Sequence, residues 1–412
     1  MHDISAADQN RLRELAKQQR EIAVSPQMQN LRKEWTAHND LKGQRPMITI
    51  ETASFADDIM PPLLQCEGEL ARKYEYTLRC NIINHTVFGD DSIVRDYWPV
   101  GYYYWFKPFG LDIEVEREAG ALGHHFVPQI EDFTADFHKL KKSTYGNDTE
   151  GHKNEIALIN ELFGDILPAK SVGRSLYTVL TQDLVHLMSM ETMFFAMYDA
   201  PDLFHQAMEQ LSGDYLELFA YLSKNGWLDS TTGDEPLAQG SYCFTGSLPK
   251  QKDGLFTPSD IWGFCDSQET VGVAPDMFEE FIWPYYKRIA DSYGLLSYGC
   301  CEPTDSIWEN CLSKLGNLRK VSISAWCNEE FMGERLRGTK TIFHRKPSPN
   351  FLGVGSGDLD ETALREHIKK TLRAAAGCKI EFTQRDVYQV AGNPLKVKRF
   401  IDIIREECTN LY

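Results

Sequence analysis

The chain has 412 residues, 25% of them charged and 42% hydrophobic, and its 43 basic and 60 acidic residues give a formal net charge of −17. This composition is typical of a folded globular protein and excludes disordered, collagenous and coiled-coil chains. Because so acidic a surface repels phosphate groups, we expect neither a nucleic acid nor an anionic membrane surface as a partner.

The remaining composition favours a cytoplasmic protein. No stretch approaches the roughly 18 consecutive apolar residues of a membrane-spanning helix, and the first residues, MHDISAADQNRLREL, do not have the pattern of a signal or transit peptide. The ten cysteines are scattered and form no Cys-x-x-Cys pair, although Cys300 and Cys301 are adjacent. We therefore expect reduced thiols rather than a disulfide framework.

Residues 5 to about 38 predict a helix, because Ser5 suits an N-cap and apolar residues recur after it at helical spacing. We expect residues 1–45 to form a helical N-terminal arm. It would lie either on the main domain, predicted over residues 46–412, or on a second subunit of a homodimer.

Short apolar or β-branched runs alternate with amphipathic helices through the C-terminal half. Helices are predicted from Pro201 to Gly226, from Pro275 to Pro284 and from Glu361 to Ala375. Strands are predicted over residues 47–50, 295–298, 321–324, 341–343 and 379–382. This alternation predicts βα units around a parallel sheet, and periodicity leaves open whether it is a closed barrel or an open doubly wound sheet. The long loop over residues 228–258 is expected to help form the site.

The segment LLSYGCCEP, residues 295–303, carries the densest chemistry. An apolar strand runs directly into Tyr298, Cys300, Cys301 and Glu302. In a parallel α/β protein the carboxyl ends of the strands are where active sites collect, so a phenol, two thiols and a carboxyl group are expected there. The structural alternative is a turn around one buried cysteine.

Further polar side chains lie after predicted strands or in polar segments and are candidates for binding or protonating a substrate: Asp266, Glu269, His344, Lys346, His124 and Asp386. Carboxyl groups and imidazoles act as acids and bases, and a cation suits a substrate carboxylate or phenolate. Helix capping is the alternative role for Asp266. The aromatic run over residues 96–106 either packs in the core or lines a pocket for an aromatic substrate.

The segments over residues 201–227 and 275–289, leading into 295–303, resemble the uroporphyrinogen decarboxylase-like superfamily. The stretch SQETVGVAPDMFEEFIWPYYKRI is similar to the pattern that precedes the sixth barrel strand in that superfamily. The resemblance covers about residues 60–410. It implies a (β/α)8 TIM-type barrel in the α/β class, and either a decarboxylase or a corrinoid-dependent methyltransferase.

Two departures separate these branches. The decarboxylase holds its acidic tetrapyrrole with the segment Met-Arg-Gln-Ala-Gly-Arg, whereas residues 51–55 here contain no arginine. An octacarboxylate substrate is therefore not expected. The methyltransferase branch carries a zinc site of His-x-Cys with a later cysteine. Here Tyr298 replaces the histidine, Cys300 matches, and residues 381–390 contain no cysteine. Cys300 and Cys301 remain the candidate zinc ligands, with the metal-free outcome favoured.

The resemblance thus implies a methyltransferase that moves a methyl group from a small methylated substrate, such as a methoxylated aromatic, to the cobalt of a separate corrinoid protein. The partner must be separate because the Asp-x-His-x-x-Gly pattern of corrinoid proteins is missing. Glu302, Asp266 or Tyr298 would protonate the leaving oxygen. The alternatives are a carboxy-lyase acting on a small acid or a porphyrinogen, and a non-catalytic binding protein on the same fold.

Overall fold

The computed structural model describes residues 4–117, 123, 125–354 and 357–412. Its α-helices are α1 (Ala6–Ala23), α2 (Pro26–Asn39), α3 (Ala56–Ile59), α4 (Glu69–Ile83), α5 (Phe133–Asp136), α6 (Thr149–Phe163), α7 (Leu180–Leu187), α8 (Met190–Asp199), α9 (Pro201–Lys224), α10 (Pro275–Phe281), α11 (Trp283–Ala290), α12 (Glu329–Leu336), α13 (Asn350–Gly353), α14 (Glu361–Ala374) and α15 (Pro394–Leu411). None of these helices combines the length and the hydropathy needed to cross a lipid bilayer.

The strands are β1 (Met47–Ile50), β2 (Trp98–Gly101), β3 (Tyr104–Lys107), β4 (Val115–Glu116), β5 (His125–Phe126), β6 (Thr144–Asn147), β7 (Ala169–Val172), β8 (Leu176–Thr178), β9 (Pro236–Leu237), β10 (Ser241–Tyr242), β11 (Trp262–Cys265), β12 (Leu295–Tyr298), β13 (Leu318–Ile323), β14 (Ile342–Arg345) and β15 (Ile380–Gln384).

A seven-stranded parallel sheet organises the described chain, in the order β1–β15–β14–β13–β12–β11–β8. Every residue of β11, β12, β14 and β15 is buried. Strands that are buried along their whole length are typical of a parallel sheet that is covered on both faces. The predicted α/β class with a parallel sheet is therefore confirmed.

Two predicted helices are each interrupted in the structure. The first breaks at residues 24–25, where Ser25 caps the second helix and Pro26 begins it. The helix expected from Pro275 is also two helices, α10 and α11, with the break at Ile282. Pro284 explains that break, because proline lacks an N–H group and its ring crowds the carbonyl one turn earlier, so it is tolerated only in a first turn. By contrast, the helix predicted from Pro201 is a single helix, α9, and it begins at that residue.

The first two helices pack on the rest of the same chain. Trp35 of α2 donates a hydrogen bond to the carbonyl of Asp91 at 2.8 Å. The Asn39 amide donates to the carbonyl groups of Tyr242 and Phe244, at 2.9 and 2.7 Å. The end of α2 is thereby attached to the hairpin that β9 and β10 form.

That hairpin, residues 236–242, lies against strands from both edges and the middle of the sheet. Thr49 in β1, Lys320 in β13 and Ser175 beside β8 each donate a hydrogen bond to it, at 2.9, 2.6 and 3.2 Å. A flat sheet could not bring three such separated strands to one hairpin. The sheet is therefore strongly curved, and the hairpin lies within the curve.

A buried ion pair links the middle of the sheet to β15. The Lys320 ammonium lies 2.6 Å from the Glu381 carboxylate, and both side chains are fully buried. The imidazoles of His38 from α2 and His344 from β14 lie 3.4 and 3.6 Å from the same carboxylate. Because a charge removed from water costs several kcal/mol unless it is paired, the two strands are held in the register that joins these groups.

The ion pair generates a stability prediction. Glu381→Gln should lower the free energy of unfolding by about 3–5 kcal/mol, because Lys320 would keep a buried charge without a partner. The double variant Lys320→Met/Glu381→Leu should lose much less, since neither charge remains. Urea unfolding followed by circular dichroism measures both. A single variant no less stable than the double variant would contradict the proposed constraint.

Candidate functional site

The turn after β12 depends on Gly299, which has φ +99°. A Cβ atom there would lie 2.9 Å from side-chain atoms of both Ser322 and Thr304. Only glycine combines this left-handed conformation with so close an approach. The turn directs the following residue, Cys300, towards the carboxyl ends of the neighbouring strands.

Glu302 joins the ends of β11 and β12. One carboxyl oxygen accepts the N–H of Ser267 at 3.0 Å, and the other accepts the N–H of Cys300 at 2.8 Å. The Tyr298 hydroxyl is buried and forms a 2.7 Å hydrogen bond with the Ser267 hydroxyl. Glu302 and Tyr298 therefore lie together at the strand ends, and both are engaged in holding the local backbone.

Asp266, at the end of β11, differs from these two residues. It is 1% exposed, and neither of its carboxyl oxygens has a hydrogen-bond partner among the described residues. Burial, together with the nearby Glu302 and Cys300, raises the pKa of Asp266 well above its usual range. The protonated form is therefore favoured, and a buried carboxylic acid without a partner is a candidate proton donor.

Cys300 carries a thiol whose anion is stabilised by its surroundings. Its sulfur lies 3.5 Å from the Cys301 sulfur and accepts a 3.1 Å hydrogen bond from the Arg385 guanidinium. Cys301, then Lys346 and Arg385, lower the pKa of Cys300 to about 7 although burial opposes them. Arg385 is itself held by Glu51, whose carboxylate lies 3.1 Å from its Nε. Since the thiolate is the reactive form of cysteine, this is a candidate nucleophile.

Lys346 is held in one position, and burial lowers the pKa of its ammonium group although the nearby Cys300 opposes this. Its buried ammonium donates to the side-chain oxygen of Gln239 at 2.9 Å and to the carbonyl groups of Gly299 and Cys300 at 3.1 and 3.2 Å. An ammonium has three N–H groups, so these bonds use all of them. Gln239 comes from the hairpin, so the predicted loop over residues 228–258 does contribute to this cluster.

A cavity of about 520 Å³ opens beside the cluster, with mostly apolar walls. It is lined by Met190, Gln268, Glu269, Val271, Cys301, Pro303 and Trp326. Asp386 lies close by, where it accepts a hydrogen bond from the Cys301 thiol at 3.4 Å. A second cavity, of about 390 Å³, is lined in part by Glu51 and Gln239, which contact Arg385 and Lys346 respectively.

One of the predicted residues that the structure describes is not placed with the others. His344 lies deeper in the sheet, where its Nε2 is 2.8 Å from the Thr383 hydroxyl, and burial lowers the pKa of His344 to about 3. It belongs with the Lys320–Glu381 pair rather than with the cavity. His124 lies outside the described residues. Glu269 does line the cavity, and it accepts a 3.0 Å hydrogen bond from the Thr181 hydroxyl.

Sequence reasoning missed three residues of the cluster. Arg385 comes three residues after the predicted strand over 379–382, so the strand-end rule that selected Lys346 could also have selected it. Gln239 carried no signal beyond its long loop. Tyr177 in β8 stacks on Phe264 with ring centres 5.0 Å apart. Burial, with Asp266 and Cys300 nearby, raises the pKa of Tyr177.

The cysteine pair does not have the surroundings of a zinc site. Among the side chains of the described ranges, no group of three or more His, Cys, Asp or Glu residues could hold a metal ion. The Cys300 sulfur is instead in contact with the Arg385 guanidinium, a cation that competes with a metal for the thiolate. Cys300 and Cys301 therefore do not fit a zinc site with three protein ligands in this arrangement.

Comparison with known proteins supports the fold. No protein-family model matches the sequence, and no curated protein matches it. A methyltransferase from Methanosarcina mazei has a similar solved structure, with a TM-score of 0.50 and 13% sequence identity. The match covers 91% of this chain and 98% of that chain. At this level of identity the similarity concerns the fold alone.

The state of Asp266 generates a prediction about pH. Folding raises its pKa, so the stabilising proton is fully bound below the unfolded value near 4, and its contribution is lost as the pH rises through the folded value. Asp266→Asn has no such proton to lose. The stability of Asp266→Asn relative to the wild type should therefore increase from pH 5 to pH 8, by ~1 kcal/mol or more.

Urea unfolding at several pH values measures this difference. Asp260→Asn is the matched control: although burial opposes it, hydrogen bonds from Lys252 and Thr257 lower the pKa of Asp260. That variant should lose stability relative to the wild type as the pH rises through the folded-state pKa. A parallel pH dependence for wild type and Asp266→Asn would show that Asp266 is ionised in the folded protein.

Proposed function

We propose that this protein is a methyltransferase with a (β/α)8-type barrel. It takes a methyl group from a small methylated substrate, a methoxylated aromatic, and passes it to the corrinoid of a separate partner protein. The observation that carries the proposal is the unpartnered buried carboxyl group of Asp266 beside the Cys300 thiol at the carboxyl ends of parallel strands. The fold similarity to a methyltransferase supports the same conclusion.

The strand arrangement supports the barrel. The seven-stranded sheet has β1 and β8 at its edges. The strand β2 pairs in parallel with β7, and β7 leads through residues 173–175 into β8. The short connection from β7 to β8 supports the proposal that β2 is the eighth strand of a barrel, next to the edge that β8 forms. Active sites of such barrels lie at the carboxyl ends of the strands, which is where the cluster lies.

The chemistry requires a proton donor. A methyl aryl ether leaves as a phenolate, a base with a conjugate-acid pKa of about 10, so protonating the oxygen as the bond breaks lowers the barrier. The three candidates differ in availability, because Glu302 and Tyr298 are engaged in hydrogen bonds, whereas Asp266 has no hydrogen-bond partner in the part of the chain that the structure describes. We assign the proton transfer to Asp266, and to Glu302 the positioning of the turn.

The cavity mouth suits a protein partner. Its lining includes Trp326, which is 77% exposed, with the exposed side chains of Val271 and Met190. Large apolar side chains grouped on a surface mark contact sites. The corrinoid, when the partner delivers it there, supplies the reduced cobalt that accepts the methyl group. The residues of this chain hold the substrate, exclude water and supply the proton.

The carboxy-lyase alternative receives less support from the geometry. Binding a substrate carboxylate needs a cation with free hydrogen-bond donors. All three N–H groups of Lys346 are used within the protein, and Arg385 is engaged by Glu51 and Cys300. A porphyrinogen with eight carboxylates would need several free cations. A non-catalytic binding protein would have no need for an unpartnered buried acid.

Demethylation of 2-methoxyphenol tests the proposal. We expect repeated turnover to catechol only when chemically reduced cobalamin or the reduced partner protein is present. Asp266→Asn should lower kcat by about 100-fold or more, the usual contribution of a general acid, and Glu302→Gln should weaken activity through the misplaced turn. Glu309→Gln, which alters an exposed ion pair with Arg335, is the control and should retain full activity.

Uroporphyrinogen separates the two enzyme classes. The pure protein should not convert uroporphyrinogen to coproporphyrinogen, and chromatography of the porphyrin products measures this. Conversion at a rate matching that of demethylation would refute methyl transfer as the main reaction and favour the carboxy-lyase.

Metal content is a further prediction. After expression with added zinc, elemental analysis should find well under one zinc per chain, because the Cys300 sulfur contacts a guanidinium and the described residues offer no group of three metal ligands. Stoichiometric zinc that Cys300→Ser removes would contradict this expectation and restore the predicted ligand role of that cysteine.

A further inference from the structure

We propose that a cavity beside the turn from β2 to β3, here called the side cavity, is a binding site for a small aromatic monocarboxylate, a ligand of the class of benzoate. This inference goes beyond the proposed function and does not depend on it, because the side cavity lies away from the cluster at the strand ends. It also gives a role to part of the aromatic run over residues 96–106.

Aromatic rings and one arginine wall the side cavity, whose volume is about 350 Å³. Tyr102, Tyr103 and Tyr104 supply rings from the turn and the start of β3, and Trp227 supplies a ring after α9. Arg174 supplies the charge, and it also lines an adjoining cavity of about 130 Å³. Aromatic faces are surfaces on which a planar ring packs, and a guanidinium matches the two oxygens of a carboxylate.

The side cavity is separate from the cluster at the strand ends. It is lined by Leu176, the first residue of β8, which pairs with Gly263 of β11. Asp266 comes three residues after Gly263, which is about 10 Å further along the strand. The side cavity also shares no lining residue with the cavity beside Cys301. A ligand in the side cavity therefore lies outside the proposed site of methyl transfer.

Arg174 is accessible and has no partner of its own. Its side chain is exposed, and it forms no hydrogen bond or ion pair with another of the described residues. All five of its N–H groups are therefore available to a ligand. Gly101 makes room for the guanidinium, because a Cβ atom at that position would lie 3.2 Å from Nη2 and 3.5 Å from Nε. The guanidinium is thus a free cation in a chain of net charge −17.

Hydrogen-bond donors outnumber free acceptors in the lining. Neither the Tyr104 hydroxyl nor the Trp227 indole N–H has a hydrogen-bond partner among the residues that the structure describes. The carbonyl group of Gly101, by contrast, already accepts a 2.7 Å hydrogen bond from Nδ1 of His152. An indole and a guanidinium can only donate, so the ligand must bring acceptors. A carboxylate on a planar ring brings two acceptor oxygens and a face that packs on the aromatic walls.

The wall around Arg174 is held in place before any ligand binds. The Tyr102 ring stacks on the imidazole of His152 with ring centres 5.5 Å apart. The Tyr102 hydroxyl donates to the Asp229 carboxylate at 2.9 Å, and the same oxygen accepts the N–H of Gly173 at 2.9 Å. Tyr103 has φ +43°, a conformation that is costly for a residue other than glycine and persists only where its surroundings fix it. A wall fixed in advance loses little freedom on binding.

The first test compares three ligands on the full wild-type chain by isothermal titration calorimetry at pH 7. Benzoate should bind saturably with one equivalent per chain. Cyclohexanecarboxylate keeps the charge without the planar ring, and benzyl alcohol keeps the ring without the charge. Each of these two should bind about tenfold or more weakly than benzoate, because each lacks one of the two features that the side cavity recognises.

The second test changes the guanidinium. Arg174→Leu should weaken benzoate binding about tenfold or more, because the charge-assisted hydrogen bonds are lost. Arg174→Lys should fall between this variant and the wild type, since an ammonium keeps the charge without the planar fork. Arg288→Leu is the matched control. It removes an exposed arginine of α11 that pairs with Glu209, and it should bind benzoate as the wild type does.

The outcomes decide this inference independently of the proposed function. No saturable binding of benzoate by the wild type, or an unchanged affinity in Arg174→Leu, would overturn it. Equal binding of cyclohexanecarboxylate would overturn the assignment of an aromatic ligand. Benzoate has no methyl group to transfer and no corrinoid is present, so failure of either proposal leaves the other standing. If Arg174→Leu does not fold, the comparison of ligands on the wild type still decides.

Discussion

Charge buried inside a curved parallel sheet is the constraint on which the rest of this structure depends. Lys320 and Glu381 meet at 2.6 Å with no exposure to solvent. Because each ion loses several kcal/mol of hydration on burial, the strands that carry them are stable only in the register that pairs them. Nearer the carboxyl ends of the strands, Arg385 and Glu51 form a second pair. The Cys300 sulfur contacts Arg385 of this second pair, and the pair therefore sets the electrostatic environment of the thiol.

The hairpin over residues 236–242 completes this arrangement with neutral groups. Ser241 accepts a hydrogen bond from Lys320, and Gln239 accepts one from Lys346. Without these partners each of the two buried ammonium groups would lose a hydrogen bond, which is costly in a dry interior. The hairpin therefore helps to stabilise the buried charges of the sheet. Asn39 of α2 holds the hairpin in place through its hydrogen bonds.

Asp266 differs from these paired charges. Its carboxyl group is buried without a hydrogen-bond partner among the described residues, while the neighbouring Cys300 lies beside a cation, so burial favours the protonated acid and the cations favour the thiolate. Two adjacent groups whose pKa values are shifted in opposite directions form an acid and a nucleophile at the same pH. An unpaired buried acid lowers stability, and its position at the strand ends gives a functional reason for that cost.

The sequence by itself determined the parallel α/β class, because apolar runs mark buried strands. It also predicted that Asp266, Glu302, Cys300 and Lys346 lie at one edge of the sheet, because the carboxyl ends of parallel strands meet there. Only the tertiary structure decided the curvature of the sheet, the entry of the hairpin, and Arg385 as the partner of Cys300. These depend on register and on contacts between residues far apart in the chain, which local patterns do not encode. The tertiary structure likewise separated His344 from the site. His344 precedes Lys346 by two residues and therefore lies one layer deeper in the sheet.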